Sequence, residues 1–185
     1  MKKINLAAPR MMGNELEYVK QAFATNWIAP LGAFVNQLED DVCKRIGCGG
    51  AVALSSGTAA IHLALIEAGV KPGDEVISTA MTAEPTNTTI AMTGARVVWG
   101  DVNPRNGLLD PFSVRSLINE RTKAIVVVHY AGMVCDMEEF NRIAHDFKIP
   151  VIEDAAHALG AKFNGQLIGS NSPYTLFSLQ AMPPY

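Results

Sequence analysis

A chain of 185 residues, 49% hydrophobic and 18% charged, can bury one sizeable core and is too apolar to be disordered. A net charge of −3, with no basic run and no interleaving of basic and aromatic residues, argues against a nucleic-acid partner. Cys43, Cys48 and Cys135 show no CxxC spacing, and no apolar stretch suits a signal peptide or a membrane span, so a cytoplasmic protein with reduced thiols, without a disulfide framework, zinc site or membrane contact, is expected.

In chain order, residues 1–13 read as an extended arm broken by Pro9 and Gly13. A helix follows over about Asn14–Thr25, with Leu16, Val19 and Phe23 facing inward. The loop Asn26–Gly32 carries Trp27 and Ile28 between its Pro and Gly; it either packs under a domain or lines a pocket. Ala33–Gly47 reads as a second amphipathic helix, and Gly47–Gly50 as a flexible link. Ala51–Leu54 is a short apolar run that reads as a buried strand, Ser55–Thr58 a polar turn, and the next residues a helix with Ile61, Leu65 and Ala68 on one stripe and Gly69 as its stop. After the turn Lys71–Asp74, strands are expected at Glu75–Thr79, Arg96–Asp101, Lys123–His129, Pro150–Asp154 and Thr175–Ser178. Helices are expected at Pro85–Thr93, at Pro111–Ile118 after Asp110 as its cap, and at Met137–Phe147. No internal repeat or low-complexity segment interrupts the series.

Strands alternating with helices predict an α/β fold, a mostly parallel sheet with helices on both faces. Ligands of such sheets sit outside the carboxyl ends of the strands. The polar residues gather there: Ser55–Thr58, the Thr82–Asn87 loop, His129–Tyr130, Asp154 with His157 beyond it, and Ser178 with Gln180. The Ser55–Thr58 turn opens a helix whose first N–H groups lack intrahelical partners, which suits a phosphate or carboxylate; an ordinary cap by Ser56 or Thr58 explains the same residues. A carboxylate closing the apolar strand that ends in Asp154 needs a partner, either a structural one such as Arg96 or a backbone N–H, or a cationic cofactor atom such as a protonated pyridine nitrogen. His157, three residues on, lies about one helical turn away. His62, His129 and His145 have no metal-ligand spacing, and Cys135 lies in an ordinary turn without a catalytic role.

The segments SSGTAAIHLAL, PGDEVIS, RTKAIVVVH, PVIEDAAHALGA and FSLQA, in this order and spacing, resemble the nucleotide-sugar aminotransferases of the DegT-like family, pyridoxal-phosphate (PLP) enzymes of fold type I. TNWIAPLGAFVNQLE is similar to the family's opening, and the resemblance runs from about Asn5 to Ala181. It implies that Gly57 and Thr58 bind the cofactor phosphate, joined by the Ser178 hydroxyl. It further implies Asp154 on the pyridine nitrogen, His157 beside the ring with a possible catalytic part, Gln180 lining the pocket, and Trp27 on the sugar-nucleotide side of the cleft. The implied reaction moves an amino group, with glutamate as donor, to a keto-sugar nucleotide in a homodimer with active sites at its interface; the high apolar content separately implies surface buried in a partner subunit or a missing segment.

Two departures from the family accompany the resemblance. Ala83 stands where many members place an aromatic ring over the cofactor, and Pro183 stands where the Schiff-base lysine belongs; proline has no amine to offer. Lys162 is expected to be solvent-exposed and away from the cofactor rim. The resemblance therefore implies an N-terminal arm with helices over 1–50, an incomplete PLP-binding large domain over 51–185, and no C-terminal small domain. A chain so truncated is expected to be inactive as a transaminase. The alternative is a non-catalytic remnant that serves as a binding or dimerisation module.

Overall fold

The structure, a computed structural model, describes residues 11–179, which fall into two compact units. One carries α1 (Glu15–Ala24) and most of α2 (Ala33–Ile46). Glu15 accepts hydrogen bonds from the N–H groups of Met12 and Gly13, a carboxylate at the positive end of α1. Tyr18 meets Phe34 edge to face at 5.4 Å, which packs α1 on α2. Leu16, Val19 and Phe23 share a stripe of α1, yet all three are exposed, contrary to the inward placement expected from their spacing. Periodicity defines a face without defining what covers it. The arm residues before Met11 lie outside the described residues.

The other unit holds residues 46–48 and 54–178 and carries every described strand. In order come α3 (Gly57–Glu67), β1 (Glu75–Thr79), α4 (Glu84–Met92), β2 (Arg96–Gly100), α5 (Pro111–Leu117) and β3 (Thr122–Val128). A single 3-10 turn at Tyr130–Gly132 leads to α6 (Met137–Phe147), β4 (Val151–Asp154), β5 (Lys162–Phe163), β6 (Gln166–Leu167) and β7 (Tyr174–Leu176). Five strands form one sheet in the order β2-β1-β3-β4-β7, with every pairing parallel. The expected fold class holds, and the elements begin and end within about two residues of the positions the sequence implies.

One expected strand is absent. Ala51–Leu54 is irregular backbone, and Val52 is 69% exposed. A strand exists only through a neighbour's hydrogen bonds, and among the described residues no strand pairs with this run. Instead the Ala53 N–H donates to the Glu39 carboxylate at 2.8 Å. A two-residue hairpin of β5 and β6, turning at Asn164 and Gly165 with φ of 48° and 82°, was not among the expected elements.

Helices cover both faces of the sheet. On one, Ile61 and Leu65 of α3 and Ile90 of α4 pack on Val76, Val126 and Ile152. On the other, Val114 of α5 with Phe140 and Ile143 of α6 pack on Ile77, Ile125 and Val127. These alternate positions in β1, β3 and β4 explain why their sequence is apolar without interruption. Leu65 is fully buried, so Leu65→Ala should cost about 2–5 kcal/mol in urea unfolding; a loss well under 1 kcal/mol would contradict this packing.

At the amino edge of the sheet, buried Glu75 accepts hydrogen bonds from Arg96 at 2.6 Å, Arg121 at 2.7 Å and Asn119 at 2.9 Å. The Asn119 amide and the two guanidinium groups lower its pKa from 4.5 to about 2. The folded state thus binds this proton less readily than the unfolded chain. The stability it supplies is complete above pH 4.5, shrinks as the pH falls towards 2, and is lost below that. Glu75→Gln should flatten that part of a stability–pH curve measured by urea unfolding, and an unchanged slope would contradict the assignment.

Candidate functional site

Parallel topology brings the carboxyl ends of the central strands to one edge, and the polar residues singled out above meet this edge in different ways. Ser56 caps α3, its hydroxyl accepting from the Ala59 N–H at 3.1 Å. Both explanations of the turn therefore coexist: the cap is made, while the N–H groups of Gly57 and Thr58 and the Thr58 hydroxyl engage no partner among the described residues. A methyl group on Gly57 would stand 4.0 Å from Ser178 Cβ and 3.9 Å from Leu176 Cδ1. Ser178, two residues past β7, therefore adjoins the start of α3. Gly57 has no left-handed φ and no crowded Cβ position, so neither conformation nor packing demands glycine there. Close approach of a ligand to the helix N-terminus would.

Asp154 ends β4 and is only 6% exposed. Its Oδ2 accepts from the Thr86 hydroxyl at 2.7 Å and its Oδ1 from the Ala156 N–H at 3.2 Å. No Lys, Arg or His pairs with it among the described residues. Arg96, considered above as its structural partner, is at the other edge on Glu75. Thr86 is itself bonded to Thr82 at 2.8 Å. The sequence marked the Thr82–Asn87 loop as part of this edge but did not single out Thr86. Thr86 and Thr89 are buried in a short helix, which only the fold reveals, so the sequence offered no signal that this helix carries a polar partner inward.

The remaining expected residues are less engaged. His157 is exposed in a turn after β4, since residues 155–160 form turns and not the helical spacing assumed for it. Ala83 is the exposed N-terminal flank of α4, with no ring nearby in sequence to replace the missing aromatic. Trp27 belongs to the other unit, where it lies against Gly32, whose φ of 145° closes the loop beneath the indole. Gln180 and Pro183 lie outside the described residues. Lys162 is exposed in β5, as expected. A cavity of about 700 Å³ opens at the amino edge beside Lys123 and Pro150, away from all of these groups.

Beneath the edge, on the sheet face opposite Asp154, His129 Nδ1 accepts from the Cys135 N–H at 3.2 Å, so its proton sits on Nε2 and bonds Glu153 at 2.8 Å. Burial and the Glu153 charge push the Cys135 thiol up to about 12. No group of three or more metal-ligating side chains occurs among the described residues. Cys135 should therefore resist iodoacetamide at pH 8 in the folded chain and react only after unfolding; alkylation of the folded chain at the unfolded rate would contradict its burial.

Solved structures place this architecture among the PLP-dependent enzymes of fold type I. A Streptococcus pneumoniae protein assigned as a sugar aminotransferase, Spr1654, in its PMP form superposes with a TM-score of 0.92 at 30% identity, over 98% of this chain and 49% of that one. 3-Amino-5-hydroxybenzoic acid synthase superposes with a TM-score of 0.88 at 32% identity, over 96% of this chain and 46% of that one. GDP-perosamine synthase of Caulobacter vibrioides is 40% identical over 95% of this chain and 47% of its own length. UDP-4-amino-4-deoxy-L-arabinose–oxoglutarate aminotransferase of Shewanella sediminis is also 40% identical, over 96% of this chain and 45% of its own. The profile of the DegT/DnrJ/EryC1/StrS aminotransferase family matches residues 9–184, and the chain belongs to that family. Its members are PLP-dependent, and the chain spans a little under half the length of both curated relatives. No helix among the described residues is long and apolar enough to cross a membrane.

Proposed function

We propose that this chain is the cofactor-binding part of a cytoplasmic nucleotide-sugar aminotransferase, with glutamate as amino donor. The observation that carries the proposal is Asp154, a buried carboxylate with hydroxyl and amide donors but no cationic partner among the described residues. Leaving such a charge unmatched is costly, and a protonated pyridine nitrogen would match it. The PMP and PLP forms of the Streptococcus pneumoniae structure and the nucleotide sugars in the names of the two curated relatives support the same reading.

In this reading the N–H groups of Gly57 and Thr58, the Thr58 hydroxyl and Ser178 hold the cofactor phosphate at the positive end of α3. Asp154 keeps the ring nitrogen protonated at the end of β4. His157 stands by the ring, Gln180 lines the pocket, and Trp27 serves the sugar-nucleotide side. When bound, PLP supplies the electron sink that amino-group transfer requires. The exposed row of Leu16, Val19 and Phe23 supports a homodimer, since apolar stripes of that kind are usually covered.

Pro183 offers no amine, so the chain holds PLP without a covalent bond and does not transaminate. Equilibrium dialysis should show PLP binding that Asp154→Asn weakens roughly 10- to 100-fold, the worth of a charged hydrogen bond. Borohydride reduction followed by intact-mass analysis should leave the chain unmodified. A stoichiometric reduced lysine adduct, or no PLP binding by the wild-type chain, would overturn the proposal.

A further inference from the structure

Helix threonines commonly turn their hydroxyls back onto their own helix, and Thr89 does so, bonding the carbonyls of Pro85 at 2.8 Å and Thr86 at 2.9 Å. Thr86, one turn earlier and 1% exposed, does not. Its hydroxyl crosses to Asp154 at 2.7 Å, a residue 68 positions away. An ionised carboxylate only accepts, so the single Thr86 proton is committed to Asp154. The 2.8 Å contact between Thr82 and Thr86 then has one possible direction, with Thr82 donating. The result is an ordered chain, Thr82 to Thr86 to Asp154, in which each bond polarises the next. β1 and β4 are not neighbours in the sheet, since β3 lies between them. The chain therefore ties the loop after β1 and the start of α4 to the end of β4.

We propose that Thr86, backed by Thr82, is a positioning residue for Asp154. It fixes the carboxylate by holding Oδ2, while Oδ1 keeps the Ala156 N–H and has a lone pair to spare for a ligand cation. This rests on the reading that Asp154 faces the pyridine nitrogen of PLP. The cofactor grip at this edge is then three linked groups drawn from α4, its preceding loop and β4. A freely rotating carboxylate would have to be ordered at each binding event, and the chain removes that cost.

Threonine combines a hydroxyl with a methyl, so two substitutions separate positioning from packing. Thr86→Val keeps the shape and removes the hydroxyl; Thr86→Ser keeps the hydroxyl and removes the methyl. PLP dissociation constants of the full chain are measured by equilibrium dialysis, with circular dichroism of the bound cofactor as the spectroscopic readout. Thr86→Val should weaken binding roughly tenfold and alter the cofactor signal, while Thr86→Ser stays within about threefold of wild type and keeps it. A valine variant that binds like wild type, or valine and serine variants weakened alike, would overturn the inference and leave the proposed function standing. If the valine variant does not fold, Thr82→Val carries the test: about a threefold loss is expected, and no loss overturns the inference. A wild-type chain that binds no PLP overturns the proposed function and this inference with it.

Discussion

An unpaired carboxylate inside a protein is a standing electrostatic cost, and the carboxyl edge of this sheet is organised around one. Asp154 is held by a hydroxyl from α4 and a backbone N–H just beyond β4, with no cation among the described residues to neutralise it. Neutral donors stabilise the charge without consuming it. Contrast Glu75 at the opposite edge, also buried, which two arginines and an asparagine saturate. Glu75 is saturated at the amino edge, whereas Asp154 has only neutral donors among the described residues. Two buried acidic residues, one opening β1 and one closing β4, thus differ in the partners supplied.

Helix polarity completes the division. The α3 N-terminus, Ser178 and the end of β7 come together at the carboxyl edge because β7 pairs with β4, whose residue Asp154 lies opposite Leu176. A positive helix end and an anionic side chain favour opposite charges, so a single ligand atom cannot suit both. They are compatible when the ligand is itself dipolar, with a phosphate at one end and a protonated ring nitrogen at the other. PLP has this charge pattern, which accords with the roles proposed above for these groups.

Much of this was legible in the sequence. The buried strands β1, β3 and β4 announce themselves by uninterrupted apolar runs, and Gly69 and Gly94 adopt the left-handed φ expected of helix stops. Ser56, Gly57, Asp154 and Ser178 could be chosen from their places at element ends. Three things were not readable. Ala51–Leu54 has strand composition, but pairing is a property of a neighbour and no described strand supplies it. The β5–β6 hairpin is hidden because its strands, Lys162–Phe163 and Gln166–Leu167, are too short to show alternation around Asn164-Gly165. The Thr86–Asp154 bond joins residues far apart in sequence, and only the fold brings α4 over the end of β4.

The central claim is that Asp154 keeps the ring nitrogen of a non-covalently held PLP protonated. It is tested most directly by 15N NMR of the chain mixed with PLP labelled at that nitrogen. The account predicts a pyridinium signal at neutral pH in the wild-type chain that gives way to the neutral-pyridine signal in Asp154→Asn. A neutral-pyridine signal in the wild-type complex, or a pyridinium signal unaffected by the substitution, would contradict it.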